Sequence, residues 1–325
     1  MFVGHAMLAF ALVAGGAHRL GHDRERALVL GLLGGAFATI PDVDMLYALS
    51  GLVGESGAVS GFWSASTLVH RVLTHSLPVG LASAVGVALW ARGISAPSRF
   101  GSWRLAGLAV LVGVVLTGIS SGPLGLAVMA AFVLAGLAVA TAAVRSGGFG
   151  PRSIGAAALV GLLSHPFGDL FTGEPPLFLY PFDVRFLDGR VLLSTDPTLH
   201  LLGTFGLELA TIWLAVLVYC RLADCSVREH VQWRATLGIV YVGAVLALPA
   251  PTVDSAYRFV VGVLGVGIVG PAPLVRRAYR PGSGRSALGL GRPRPSAEGV
   301  LTPVLTALAT ITVAALSFGI GYALL

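Results

Sequence analysis

Residues 104–144 read RLAGLAVLVGVVLTGISS-GP-LGLAVMAAFVLAGLAVATAAV: two apolar runs, 104–121 and 124–144, with Gly122-Pro123 between them and Arg104 as the one charged residue. A helix that crosses a bilayer needs about 20 predominantly apolar residues, within a range of roughly 17–25. Both runs meet that length. Further runs lie near 2–17, 27–41, 70–91, 153–172, 199–220, 234–250, 257–275 and 301–324, the first two being short. The sequence therefore predicts an all-α fold, a polytopic transmembrane bundle of about ten helices.

Composition agrees. Charged residues make up 11% of the 325 residues, against about 25% in soluble domains, and the mean hydropathy is +0.86. A water-soluble fold is excluded on these grounds. All 21 basic residues are arginine, which reads as a coding bias toward GC-rich codons. The net charge of +6 calls for no nucleic-acid partner, because the placement of the arginines accounts for it. Cys220 and Cys225 match neither a Cys-x-x-Cys motif nor a zinc framework and read as reduced thiols. Residues 1–4 carry no charged n-region, so the first run is expected to stay as a helix.

The connecting segments alternate in charge. One set holds Arg19, Arg24 and Arg26, then Arg92, Arg99 and Arg104, then Arg145 and Arg152. It continues with Arg221, Arg228 and Arg234, then Arg276, Arg277, Arg280, Arg285, Arg292 and Arg294. The opposite set holds Arg71, Arg185, Arg190 and Arg258. Positive charge near helix ends marks the cytoplasmic side. The expected location is thus the cell (inner or plasma) membrane, multi-pass, with both termini outside. Residues 280–298, rich in Pro, Gly, Ser and Arg, read as a flexible cytoplasmic linker. The expected organisation is a membrane domain over 1–198, followed by further transmembrane helices over 199–325.

On this topology the uncommon polar residues gather at the extracytoplasmic ends of the helices. His5 opens the first; Asp42 and Asp44 follow Pro41 after the second; His70, Arg71, Thr74 and His75 begin the third; His165 and Asp169 end the sixth. Ionisable groups at membrane depth cost about 2.5–3.5 kcal/mol on insertion scales and are usually paired and functional. His165 and Asp169 are four apart, so on a helix they share a face. In an extended segment, Asp42 and Asp44 would project to one side. Imidazole and carboxylate without thiolate suit Zn, Mn, Fe or Ni. The expected cofactor is a divalent metal ion, zinc first and Mn or Fe as alternatives, in a mononuclear or dinuclear site.

Plainer readings stand beside this one. His5 alone is an interfacial residue, Asp42 and Asp44 are helix caps, and the histidine pairs form an interhelical hydrogen-bond network. Arg71 is a counter-charge for Asp42. The loop 173–197 covers the site, or its aromatic run Phe178–Phe182 anchors the chain at the interface, which is the reading preferred here.

These residues carry a resemblance. Gly4-His5, Pro41-Asp42-Val43-Asp44, His70-Arg71-x-x-Thr74-His75-Ser76 and Leu163-Ser164-His165-x-x-x-Asp169-x-x-Thr172, with Pro181 beyond, resemble in order and spacing the YdjM-like family of LexA-regulated inner-membrane proteins, described as metal-dependent hydrolases. The motifs cover residues 1–190. Val72 stands where the family usually has Gly, and Met45 where it often has His. The resemblance implies His5, Asp42, Asp44, His70, His75, His165 and Asp169 as metal or catalytic residues. The His-x-x-x-Asp pair is also similar to that of zinc phospholipase C and P1-type nucleases, over a short stretch only. It implies a phosphoester, such as a lipid headgroup.

The expectation is therefore a metal-dependent membrane hydrolase, with Asp44 or Asp42 as general base and Arg71 holding developing anionic charge. Its expected partners are membrane lipids and a small-molecule or lipid substrate. The rivals are a cation transporter and a structural membrane protein whose polar cluster only locks helices together.

Overall fold

A computed structural model describes residues 2–45, 73–96, 101–172, 175–182, 184–187, 189–269 and 297–325. Among these residues there are helices and turns and no strand. That is the physical requirement in lipid, where each backbone N–H and C=O must be satisfied within its own segment. The long helices are α1 (Phe2–Arg19), α2 (Arg24–Ala38), α3 (Leu77–Ser95), α4 (Ser102–Leu116), α5 (Gly122–Gly147), α6 (Pro151–Gly168), α7 (Pro197–Leu222), α8 (Tyr257–Val269) and α9 (Ala297–Leu324). The apolar segment Trp233–Ala247, mostly 3-10, lies between α7 and α8.

Six stretches among the described residues are long and apolar enough to cross a membrane: Arg24–Met45, Leu77–Ser95, Ser102–Gly147, Pro151–Phe171, Pro197–Leu222 and Gly299–Leu324. The third joins α4 and α5 through the 3-10 turn Thr117–Ser121, and Gly122 at φ 73° re-aims the chain where the two apolar runs meet. Gly118 and Gly125 touch backbone to backbone across that turn.

The chain divides into two compact units, Met1–Val191 with Ala210–Ala223, and Leu192–Leu209 with Asp224–Leu325. In the first, α6 is the central element, packed against α1, α2 and α3. Close approach needs small residues. A Cβ at Gly161 of α6 would lie 2.6 Å from the Gly34 carbonyl of α2 and 2.8 Å from Phe37 Cβ. Phe37, Val87, Leu111, Met129, Phe132 and Ile154 are fully buried around this frame. Trp90 of α3 donates to Thr141 Oγ1 of α5 at 2.9 Å. The second unit has its own core of Leu201, Tyr241, Phe259, Val263, Ala314 and Phe318.

Helix starts differ from expectation in one instructive place. The third apolar run was expected to begin as helix at His70, but residues 73–75 form a turn and α3 starts at Leu77. Ser76 caps it, its hydroxyl accepting from Val79 N, and Pro78 sits in the first turn, where its missing N–H costs nothing. His70 and Arg71 lie outside the described residues.

Candidate metal centre

Four elements deliver the cluster to one end of the first unit. His5 is in the first turn of α1, Asp42 and Asp44 lie in the 3-10 turn at 41–45 beyond α2, Thr74 and His75 precede α3, and His165 and Asp169 end α6. His5, Asp44, Thr74, His75, His165 and Asp169 are buried, His165 completely. The Asp42 side chain is 21% exposed, which makes it the carboxylate nearest to solvent.

The inner distances are short and similar. His165 Nε2 is 3.0 Å from His75 Nε2, and His75 Nε2 is 3.0 Å from Asp169 Oδ2. His165 Nε2 is 3.6 Å from both Asp169 Oδ2 and Asp42 Oδ1. Tetrahedral zinc with bonds of about 2.0–2.2 Å places its ligands about 3.3–3.6 Å apart. The cluster therefore brackets the edge of such a polyhedron.

Hydrogen bonds at the outer nitrogens fix what the inner ones offer. His165 Nδ1 is 2.6 Å from the Ala38 carbonyl, which only accepts, so Nδ1 carries the hydrogen and donates. Thr74 Oγ1 gives its single hydrogen to Asp44 Oδ2 at 2.9 Å and so accepts from His75 Nδ1–H, also at 2.9 Å. Asp44 Oδ2 is 3.3 Å from that same Nδ1. With both outer nitrogens donating, the Nε2 atoms of the two rings face each other and Asp169. A proton on His75 Nε2 or a metal ion would fill the space between them. This is the donor arrangement of a metal-binding histidine whose far nitrogen is held by a carboxylate or carbonyl.

His5 sits differently. Its ring stacks on His165 with centroids 3.9 Å apart and a 34° tilt, and its Nε2 is 3.3 Å from the outer oxygen, Oδ1, of Asp169. Gly168 makes room for it, since a Cβ there would overlap the His5 ring. Two overlapping donor sets thus exist, Asp42/His75/His165 and His5/His165/Asp169, each with atoms within 4.8 Å of one another. His165 has only one free nitrogen to give, so the sets compete for it.

The structure thus brings together six of the expected residues: His5, Asp42, Asp44, His75, His165 and Asp169. Asp42 and Asp44 do not point the same way, contrary to the expectation for an extended segment. The turn at 41–45 is 3-10, and positions two apart on such a turn diverge by about 120°. Asp42 therefore reaches His165 while Asp44 reaches the back of His75. Thr74, which the sequence reading left unassigned, is the hydroxyl that ties Asp44 to His75. Its signal was its place in the His-Arg-x-x-Thr-His-Ser block.

The fold and the cluster define a multi-pass membrane protein whose buried histidines and aspartates could hold a metal ion. The chain matches the YdjM inner membrane protein family over residues 1–251 and belongs to it, the match reaching beyond the motif blocks that end near residue 190. No match was found among curated proteins or among solved structures.

Proposed function

We propose that this chain is a metal-dependent hydrolase of the cell membrane, acting at the extracytoplasmic face on a phosphoester or lipid-linked substrate. One observation carries the reading: two imidazole Nε2 atoms converge at 3.0 Å beside the Asp169 carboxylate, each ring held by a hydrogen bond at its outer nitrogen. His75, His165 and Asp169 are the ligands in this reading, with zinc as the first choice of ion and Mn or Fe as alternatives.

A bound ion of this kind would lower the pKa of a coordinated water to about 7 and would polarise a phosphoryl or carbonyl oxygen. Asp42, the partly exposed carboxylate, is placed to take the water's proton at Oδ1 or to fill a fourth ligand position. Asp44 acts through His75 by holding its Nδ1–H. His5 holds the outer oxygen of Asp169 and keeps that carboxylate turned toward His75. Arg71, outside the described residues, is the cation assigned to the anionic charge that develops on the substrate.

The sidedness has support within the first unit. Arg26, Arg92, Arg104, Arg145 and Arg152 all lie at the helix ends opposite the cluster. Arg92 stacks on Trp103 at 4.4 Å, and Arg104 Nε donates to the Gly93 carbonyl at 2.9 Å. With the positive end inside, the cluster faces out, and ten crossings keep the alternation of charge along the chain.

The test is elemental analysis of purified wild type beside His75→Ala/His165→Ala. Wild type is expected to carry a stoichiometric divalent ion that the variant lacks. Equal metal content in a folded variant would remove the reading in favour of a structural polar cluster.

A further inference from the structure

The loop after α6 is tied at both ends to the frame of the cluster. Phe178 O accepts from Leu77 N–H at 2.8 Å, and Tyr180 O accepts from the Ser76 hydroxyl at 2.6 Å, both directly after His75. Val191 N–H donates to Leu170 O at 2.9 Å, directly after Asp169. The Tyr180 hydroxyl donates to the Thr117 carbonyl at 2.6 Å and lies 2.7 Å from Ser120 Oγ. Phe178 is turned inward, 8% exposed, with its ring 5.4 Å from that of Phe167.

Between these ties the chain changes character. Phe182 is 63% exposed, Phe186 66% and Val184 42%, and Arg185 beside them is exposed as well. None of the four lies in a helix. The inward turn of Phe178 moves the aromatic anchor expected over Phe178–Phe182 a few residues along the loop. Two phenylalanines and a valine projecting together are a liability in water. Their ties lie at Leu77 and Leu170, the ends of two membrane-crossing stretches, Leu77–Ser95 and Pro151–Phe171. The tip is therefore held at the boundary of the bilayer, where aromatic rings partition and an arginine reaches lipid phosphate.

We infer that the loop tip around Phe182, Val184 and Phe186 inserts into the headgroup–acyl boundary of the outer leaflet, with Arg185 on the phosphates. It thereby holds the cluster at headgroup depth. A second protein is the alternative occupant of this tip, and it would shield the side chains without placing them in lipid. The inference rests on the outward orientation proposed above and not on the hydrolase reading.

The experiment uses the full chain with Cys220→Ser and Cys225→Ser, carrying Phe182→Cys, Val184→Cys or Phe186→Cys one at a time, each nitroxide-labelled. The protein is reconstituted in vesicles of phosphatidylcholine and phosphatidylglycerol. Collision rates with oxygen and with a water-soluble nickel chelate are compared with those of a label at the exposed Arg228→Cys. High oxygen access with nickel access several-fold below the Arg228 label is expected at all three positions. Nickel access equal to that at Arg228 would overturn the inference, and so would low access to both reagents, which would mean cover by protein. The three single sites guard against one variant that fails to fold.

Discussion

Replacing Asp44 by Asn should weaken metal binding without abolishing it. Asp44 touches Thr74 Oγ1 at 2.9 Å and His75 Nδ1 at 3.3 Å. The inner contacts run among His75, His165, Asp169 and Asp42 instead. Its carboxylate thus makes the His75 ring more basic and fixes its tautomer from outside. Losing such a partner typically costs 10–100-fold in metal affinity, about 1.4–2.7 kcal/mol. A direct ligand is worth more: about 10–16 kcal/mol shared over four ligands is about 2.5–4 kcal/mol each. Asp169→Asn is the comparison, since its Oδ2 lies among the inner donors. Competition against a chromophoric zinc chelator at neutral pH reads both variants on one scale. A loss for Asp44→Asn as large as for Asp169→Asn would place Asp44 on the ion and refute the reasoning, while an unchanged affinity would make the Asp44–Thr74–His75 chain idle.

Gly168→Ala should lower stability by about 1–3 kcal/mol, the usual cost of overpacking, because the new methyl overlaps the His5 ring; thermal unfolding in detergent measures it. Metal affinity should fall as pH drops below about 9, since an ion must displace the proton from His75: burial disfavours its charge, but Asp169 and Asp44 beside it push that imidazole up to about 9. Chelator titrations at several pH values check this, and about one proton should be taken up at His75 per ion released. Arg185→Cys should react with an impermeant maleimide added outside intact cells, and labelling only after access to the cytoplasm would invert the topology.

The site was legible in the sequence because lipid makes polar residues rare. His165 and Asp169 announced themselves by helical spacing, and the other segments by the shared depth that the arginine pattern predicts. What separates Asp42 from Asp44 is a 3-10 turn of five residues, and no apolar periodicity reports so short a turn. Thr74 stood in a motif but had no assigned role, because an uncharged hydroxyl does not announce which neighbours it joins. The start of α3 was misplaced because the apolar run includes Val72 and Leu73, whereas the cap is set by Ser76 and Pro78. The crossing count rests on runs such as 257–275, where the described helix covers Tyr257–Val269, shorter than a typical span.

Because α6 lies among α1, α2 and α3 and carries His165, with Asp169 directly after it, the candidate centre has an order of assembly. During synthesis His5, Asp42, Asp44 and His75 all leave the ribosome before α6 exists. Until that helix slots between its neighbours, the earlier donors lack two inner partners and make a poor chelator. Occupancy by an ion would then certify that insertion had been completed, and a chain stalled halfway would stay metal-free and chemically silent.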